Sequence, residues 1–339
     1  MSLFDGGTMS IAFKVANKLK QKIISFFDIA NIVHMDKLNT VSILTYHCVT
    51  SEALRVNDFC FVTASDFEEQ ISYLNNVFDI IPMSDMYIEK KCDKPRAIIT
   101  FDDGFYNNYE VAFPILKKYK SPFSIYLSTN LVKSNDTVWF CKVNYALSFT
   151  QVDNVEWNGK GFNLTTPTGR EEASIYIQRD LKIFKNNEIE AKICKLYMSL
   201  NLEMPANFSN YKNYRMLDQQ AIDEMRSSGL VEYGAHTHNH TILSRLSYSE
   251  SYEEISKSIY IVTELTGQKC KMFAYPNGGK SDFSIDHINI IKELGIVSAV
   301  TMESGLARSN DNPFKIKRLF VSSNTSLKTF KLQVHGFRN

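Results

Sequence analysis

At 339 residues the chain is long enough for one large α/β domain or two ordinary ones. Its 38 basic side chains against 37 acidic ones leave a formal net charge of +1, which excludes the bulk positive field of a nucleic-acid binder. Hydrophobic residues at 44% and charged ones at 22% are the proportions of a soluble globular protein with a substantial core, and no apolar run is long enough to span a bilayer.

Residues 11–33 set Phe13, Leu19, Ile23, Phe27 and Ile29 among Lys14, Lys18, Lys20 and Lys22, the pattern of a basic amphipathic helix. Packing on the body of the same protein is the commoner fate of such a helix and the preferred reading. Peripheral docking on an anionic membrane is the alternative. The expected organisation is an N-terminal helical extension over 1–40 followed by one catalytic unit over 41–339. Strands are expected over 41–47, 79–82, 97–101 and 124–128. Helices alternate with them over 65–77, where Ser65 and Glu68 form a capping box, around Met86 and Ile88, and over 108–119. Between about 139 and 214 the rhythm breaks into an apolar patch, a hairpin at Asn158-Gly159 and a helical run over 175–200, read as an insertion packed beside the main unit. Alternation resumes with a helix capped by Asp218, then strands over 231–234, 271–275, 297–301 and 316–321 with helices over 249–265 and 286–294. Such alternation predicts an α/β fold with a parallel sheet. The six cysteines are widely spaced with no Cys-x-x-Cys pair, which argues against a zinc knuckle or a disulfide framework. Together with an N-terminus lacking the order of a secretory signal, they lead to the expectation of a cytoplasmic protein, peripheral to the membrane if the first helix docks there.

Two stretches carry chemistry. Asp102 and Asp103 follow the β-branched strand over 97–101 and precede Gly104. Adjacent carboxylates at a strand end demand water, a cation or hydrogen-bond donors, and a lone Asp-Asp-Gly is most simply a solvated corner. The second stretch, His236-Thr237-His238-Asn239-His240, holds three of the seven histidines. His236 and His240 are spaced so that one helical turn sets both rings on the same side, whereas His238 points away. Two neutral imidazoles and one carboxylate, from either aspartate, suit zinc or a similar divalent ion with an open coordination position. The plain alternative is a polar loop whose histidines cap a helix or face solvent. His34 and His287 have no functional partner and read as surface residues.

Thr100-Phe101-Asp102-Asp103-Gly104 and His236-Thr237-x-x-His240 resemble the first two motifs of the polysaccharide deacetylases, the NodB-homology enzymes of carbohydrate esterase family 4. Phe273-Ala274-Tyr275-Pro276-Asn277-Gly278 resembles a variant of the third, and Tyr46-His47 resembles the subgroup of poly-β-1,6-N-acetylglucosamine deacetylases. The resemblance implies a distorted (β/α)7 barrel with an inserted segment, with its site at the C-terminal ends of the strands. It makes Asp103, His236 and His240 the ligands of a divalent metal, Zn2+ first, with Co2+ and Ni2+ accepted by the same donors. Asp102 becomes the general base, and the Asn277 N–H the oxyanion donor. The implied activity is removal of the N-acetyl group of an amino sugar in a glycan or on a carrier. Alternatives are a deformylase or deacetylase of a lipid-linked sugar and an inactive carbohydrate-binding barrel, against which the complete Asp-His set speaks. For the proton delivered to the leaving amine, His47 is preferred to His335, the late histidine of Val334-His335-Gly336. Ala274 stands where many members carry an arginine that orients the base. Arg318 is a candidate substitute, although an ordinary surface or core-edge arginine is the simpler reading. Tyr275 and Trp139 are expected to face the sugar, Trp139 as a wall of the groove.

Overall fold

The computed structural model describes residues 40–338, apart from 53 and 89–92. The basic helix expected over 11–33, the membrane contact attached to it, and His34 lie outside the described residues.

Seven parallel strands close on themselves: β1 (Thr40–Tyr46), β2 (Arg96–Phe101), β3 (Phe123–Leu127), β4 (Val231–Ala235), β5 (Met272–Ala274), β6 (Ser298–Ser304) and β7 (Ile316–Phe320). Neighbours in sequence are neighbours in the barrel, and β1 pairs with both β2 and β7 to shut it. The strands are buried on both faces over most of their length, so side-chain alternation sorts residues into two cores. Ile43, Ile98, Tyr126, Ala274, Val300 and Ile316 fill the interior. Leu44, Ile99, Phe101, Ile125, Phe273 and Leu319 pack outward against a ring of helices through Phe67, Leu116, Met225, Ile255 and Ile291. None of the described helices is long and apolar enough to cross a membrane.

Several local expectations shift. The helix Ala64–Val77 is capped by Thr63, whose side chain accepts from Asp66 N–H, rather than by Ser65. The helical run expected over 175–200 is two helices, Pro167–Leu181 and Asn186–Ser199, broken at 182–185. With the helix Trp139–Phe149 and the hairpin Asn154–Trp157/Lys160–Asn163 they build a second core around Val143, Ile177, Ile193 and Tyr197. That core also takes in Cys48, Phe61 and Phe105 from the loops at the C-terminal end of the barrel, so the inserted segment walls that end. Asp218 caps its helix as expected, accepting from Ala221 N–H. A short parallel pair, Cys48–Thr50 with Phe61–Thr63, and a last helix, Leu327–Val334, complete the fold.

Candidate active site

Alternation along β2 carries Ile98, Thr100 and then Asp102 to the inside of the barrel. The same rule on β7 carries Ile316 and then Arg318 inward. They meet: Arg318 Nη1 lies 2.8 Å from Asp102 Oδ1 and Nη2 lies 2.7 Å from Oδ2, a two-pronged pair with both side chains buried. Arg318 also donates through Nε to Thr301 O at 2.9 Å and through Nη1 to Thr100 Oγ1 at 3.2 Å. Burial pushes the Asp102 carboxyl up. The guanidinium, helped by His236 and His47, outweighs it and holds the group well below the usual carboxylate range. The simpler reading of Arg318 as a surface or core-edge residue is therefore corrected: at 1% exposure it spans the barrel interior to reach the aspartate.

Asp103 has the opposite surroundings. It sits in a left-handed conformation at φ 72°, followed by Gly104 at φ 88°, so the chain turns sharply at the strand end. Its carboxylate is completely buried, yet among the described residues neither oxygen accepts a hydrogen bond. Facing Oδ1 are His240 Nε2 at 3.1 Å and His236 Nε2 at 3.5 Å. One donor atom from each of the three side chains falls within 4.8 Å of the others. His236 Nδ1 lies 2.8 Å from Ala274 O, which places its proton there and turns the Nε2 lone pair toward Asp103. Burial pushes the His236 imidazole down to about 4, so the ring is neutral near pH 7. A lone pair facing a bare, buried carboxylate is a mismatch that a cation between them resolves, and the donor set fits a divalent ion.

The two rings meet by a different route from the one the spacing suggested. Residues 236–240 form a turn after β4 instead of a helix. Left-handed Thr237 (φ 60°) and His240 (φ 54°) fold it so that the ring centroids lie 5.0 Å apart. His238 does point away, with Nδ1 2.9 Å from Thr129 Oγ1.

A cavity of about 140 Å³ opens on this centre. His47, Asp102, His236, His240 and Asn277 supply its polar lining, while Phe59, Trp139, Phe140 and Phe320 supply its apolar walls. His47 follows β1, packs edge-on to Phe320 at 5.7 Å, and has no hydrogen-bond partner for its buried Nδ1 among the described residues. Asn277 (φ 60°) is fixed by Nδ2 donating to Asp282 Oδ2 at 2.5 Å. Sequence reasoning missed Gln178 and Lys182, which reach the cavity from the inserted segment, and Phe59 and Phe320; no local motif marks any of them.

Two expectations fail here, at Tyr275 and His287. Tyr275 does not face the cavity: it is 1% exposed, stacks on Phe283 at 3.9 Å and donates to Phe314 O, because it shares the outward face of β5 with Phe273. His335, the candidate ranked behind His47, caps the last helix against Tyr73 Oη (2.9 Å) and Phe78, away from the cavity. His287 is no surface residue: its Nδ1 accepts from Ser284 N–H at 2.8 Å, within a capping box.

A model of the polysaccharide deacetylase family matches residues 89–299. The poly-β-1,6-N-acetyl-D-glucosamine N-deacetylase of Staphylococcus aureus is 24% identical over 310 residues, covering 84% of this chain and 80% of that protein. Among solved structures, the deacetylase PplD of Streptococcus pyogenes, in complex with acetate, superposes with a TM-score of 0.58 at 16% identity, covering 87% of this chain and 98% of its own. IcaB from Ammonifex degensii does so with a TM-score of 0.57 at 18% identity, covering 88% and 98%. These likenesses to solved structures establish the shared barrel.

Proposed function

The chain belongs to the polysaccharide deacetylase family, and from that membership we propose that it hydrolyses the N-acetyl amide of an amino sugar in a glycan, with a divalent cation held by Asp103, His236 and His240. The names of its relatives make a β-1,6-linked N-acetylglucosamine polymer the first substrate to try. The observation that carries the reading is the buried Asp103 carboxylate, whose oxygens accept no hydrogen bond among the described residues and whose Oδ1 faces the two imidazole nitrogens.

A cation bound there supplies Lewis acidity toward water and the acyl carbonyl. Asp102 is kept ionised by Arg318 and takes a proton from the attacking water, using a lone pair that the guanidinium leaves free. The water oxygen adds to the acyl carbon, and the Asn277 N–H, from a residue lining the cavity, is assigned as donor to the oxyanion that develops. As the carbon–nitrogen bond breaks, the amine needs a proton. His47, which lines the same cavity, is assigned as the donor; an imidazole side chain suits this role. Trp139, Phe140, Phe59 and Phe320 offer apolar faces to the sugar and its acetyl methyl. Zinc is the expected ion, with cobalt and nickel suited to the same donors.

The test is acetate release from defined N-acetylglucosamine oligomers, with the metal content of the purified protein measured alongside. Activity is expected to vanish on chelation and return with added Zn2+. Undiminished hydrolysis by protein shown to be free of metal would dispose of the proposal.

A further inference from the structure

The turn bearing His236 and His240 is held by groups that touch neither ring. Thr237 and His240 adopt left-handed backbone conformations that non-glycine residues occupy only when their surroundings enforce them. The enforcement comes from three directions. Glu254, on the helix Tyr248–Thr266, accepts at Oε2 from the N–H groups of His238 (3.1 Å) and Asn239 (2.9 Å). Its Oε1 accepts from Asn239 Nδ2 at 2.5 Å, and Asn239 Oδ1 in turn accepts from Asn130 Nδ2 at 2.8 Å, so the amide is fixed from both ends. Asn130 N–H also donates to His238 O at 2.8 Å. From the inserted segment, Asn186 Nδ2 donates to Asn239 O at 2.7 Å and to Thr241 Oγ1 at 2.9 Å. Glu254 makes no ion pair among the described residues, so its hydrogen bonds, two of them to consecutive backbone amides, all serve the turn. Such charge-assisted bonds are stronger than a neutral acceptor would give.

We propose that Glu254 is a positioning residue for the ion site, and that Asn186 couples the inserted segment to the same turn. The inference rests on the role given above to Asp103, His236 and His240. Without the clamp the turn relaxes toward ordinary backbone angles, and His240 no longer aims Nε2 at Asp103.

The test titrates the full chain with Zn2+ against a chromophoric chelator. Glu254→Ala is expected to weaken binding by about 10- to 100-fold. Glu253→Ala, one residue earlier on the same helix and exposed, should bind like the unsubstituted chain. Glu254→Gln keeps one acceptor for the backbone amides but sets an NH2 against that of Asn239, and should fall between. A role confined to folding would lower the unfolding temperature of the ion-free protein and leave the affinity of the folded fraction untouched. A folded Glu254→Ala that binds Zn2+ as the unsubstituted chain does overturns the proposal. Should that variant fail to fold, Asn186→Ala decides: weaker binding with unchanged ion-free unfolding supports the clamp, and unchanged binding overturns it. An unsubstituted chain that takes up no Zn2+ overturns the ion-holding reading itself, and the clamp with it.

Discussion

Asp102 and Asp103 are consecutive carboxylates with opposite partners, and the division of labour between them follows from that. Asp102 receives a guanidinium fork, whereas Asp103 receives no donor and faces two imidazoles. Replacing Arg318 by Met would strand a buried charge and cost about 3–5 kcal/mol of stability, which confounds any reading of activity. Arg318→Lys is the better probe, because it keeps the charge and loses the fork. It is expected to stay folded and lose turnover with little change in KM, as measured by acetate release; unchanged turnover would mean that the pairing serves folding alone. For His47→Asn the expected loss is about 10²- to 10⁴-fold in turnover. His335→Asn should be nearly neutral, since that ring lies against Tyr73. The reverse ranking would move the acid role to His335. The aspartates, the histidine cluster and His47 were legible in the sequence because each lies in a compact motif. The Arg318 partnership could be offered only as a candidate, behind the simpler surface or core-edge reading, since its carboxylate is 216 positions away and only barrel closure joins β2 to β7 through β1.

The strands and most helices were legible at the level of elements because period-2 and period-3.6 patterns are local. What they connect to was not. Spacing brought His236 and His240 together correctly but assigned a helix, where two left-handed residues in a turn do the work. Tyr275 was misplaced although alternation held the correction: it lies two residues from Phe273, which packs outward, so both belong to the helix-facing core. The end of β4 also shows how tightly the ligand turn is seated. A Cβ on Gly234 would lie 2.5 Å from Tyr126 Cδ1 and 2.9 Å from the backbone oxygen of Met272. The ring can tilt but the strand cannot, so Gly234→Ala is expected to cost about 1–3 kcal/mol in denaturant unfolding. Displacement at Gly234 reaches His236 two residues later, so acetate release should fall as well. An unfolding midpoint equal to that of the unsubstituted chain would show that the barrel yields there more easily than its packing suggests.

For the molecule as a whole, the three ion donors come from two strand ends separated by the entire inserted segment: Asp103 after β2, His236 and His240 after β4. Those ends are pinned through β3, which pairs with both strands. An ion gripped there therefore belongs to the closed barrel and is lost when the barrel opens. Binding to the folded state alone stabilises it by about 2.7 kcal/mol at a free-ion concentration 100 times the dissociation constant. With unfolding entropy scaling with chain length, a body of this size should gain roughly 4 °C in unfolding temperature at that concentration. Asp103→Asn removes the charge while keeping the shape of the side chain. It also removes the mismatch with the His236 lone pair, so the ion-free variant should be at least as stable as the unsubstituted chain and should gain nothing from added Zn2+. Asp102→Asn, by contrast, strands the buried Arg318 charge and should lower the ion-free unfolding temperature. Whatever folds should still gain from added Zn2+ while losing turnover, because the side chain at position 102 faces Arg318. Thermal unfolding of all three proteins with and without the ion separates holding from hydrolysis. An equal Zn2+ response in the Asp103→Asn variant would place the ion somewhere other than this barrel mouth.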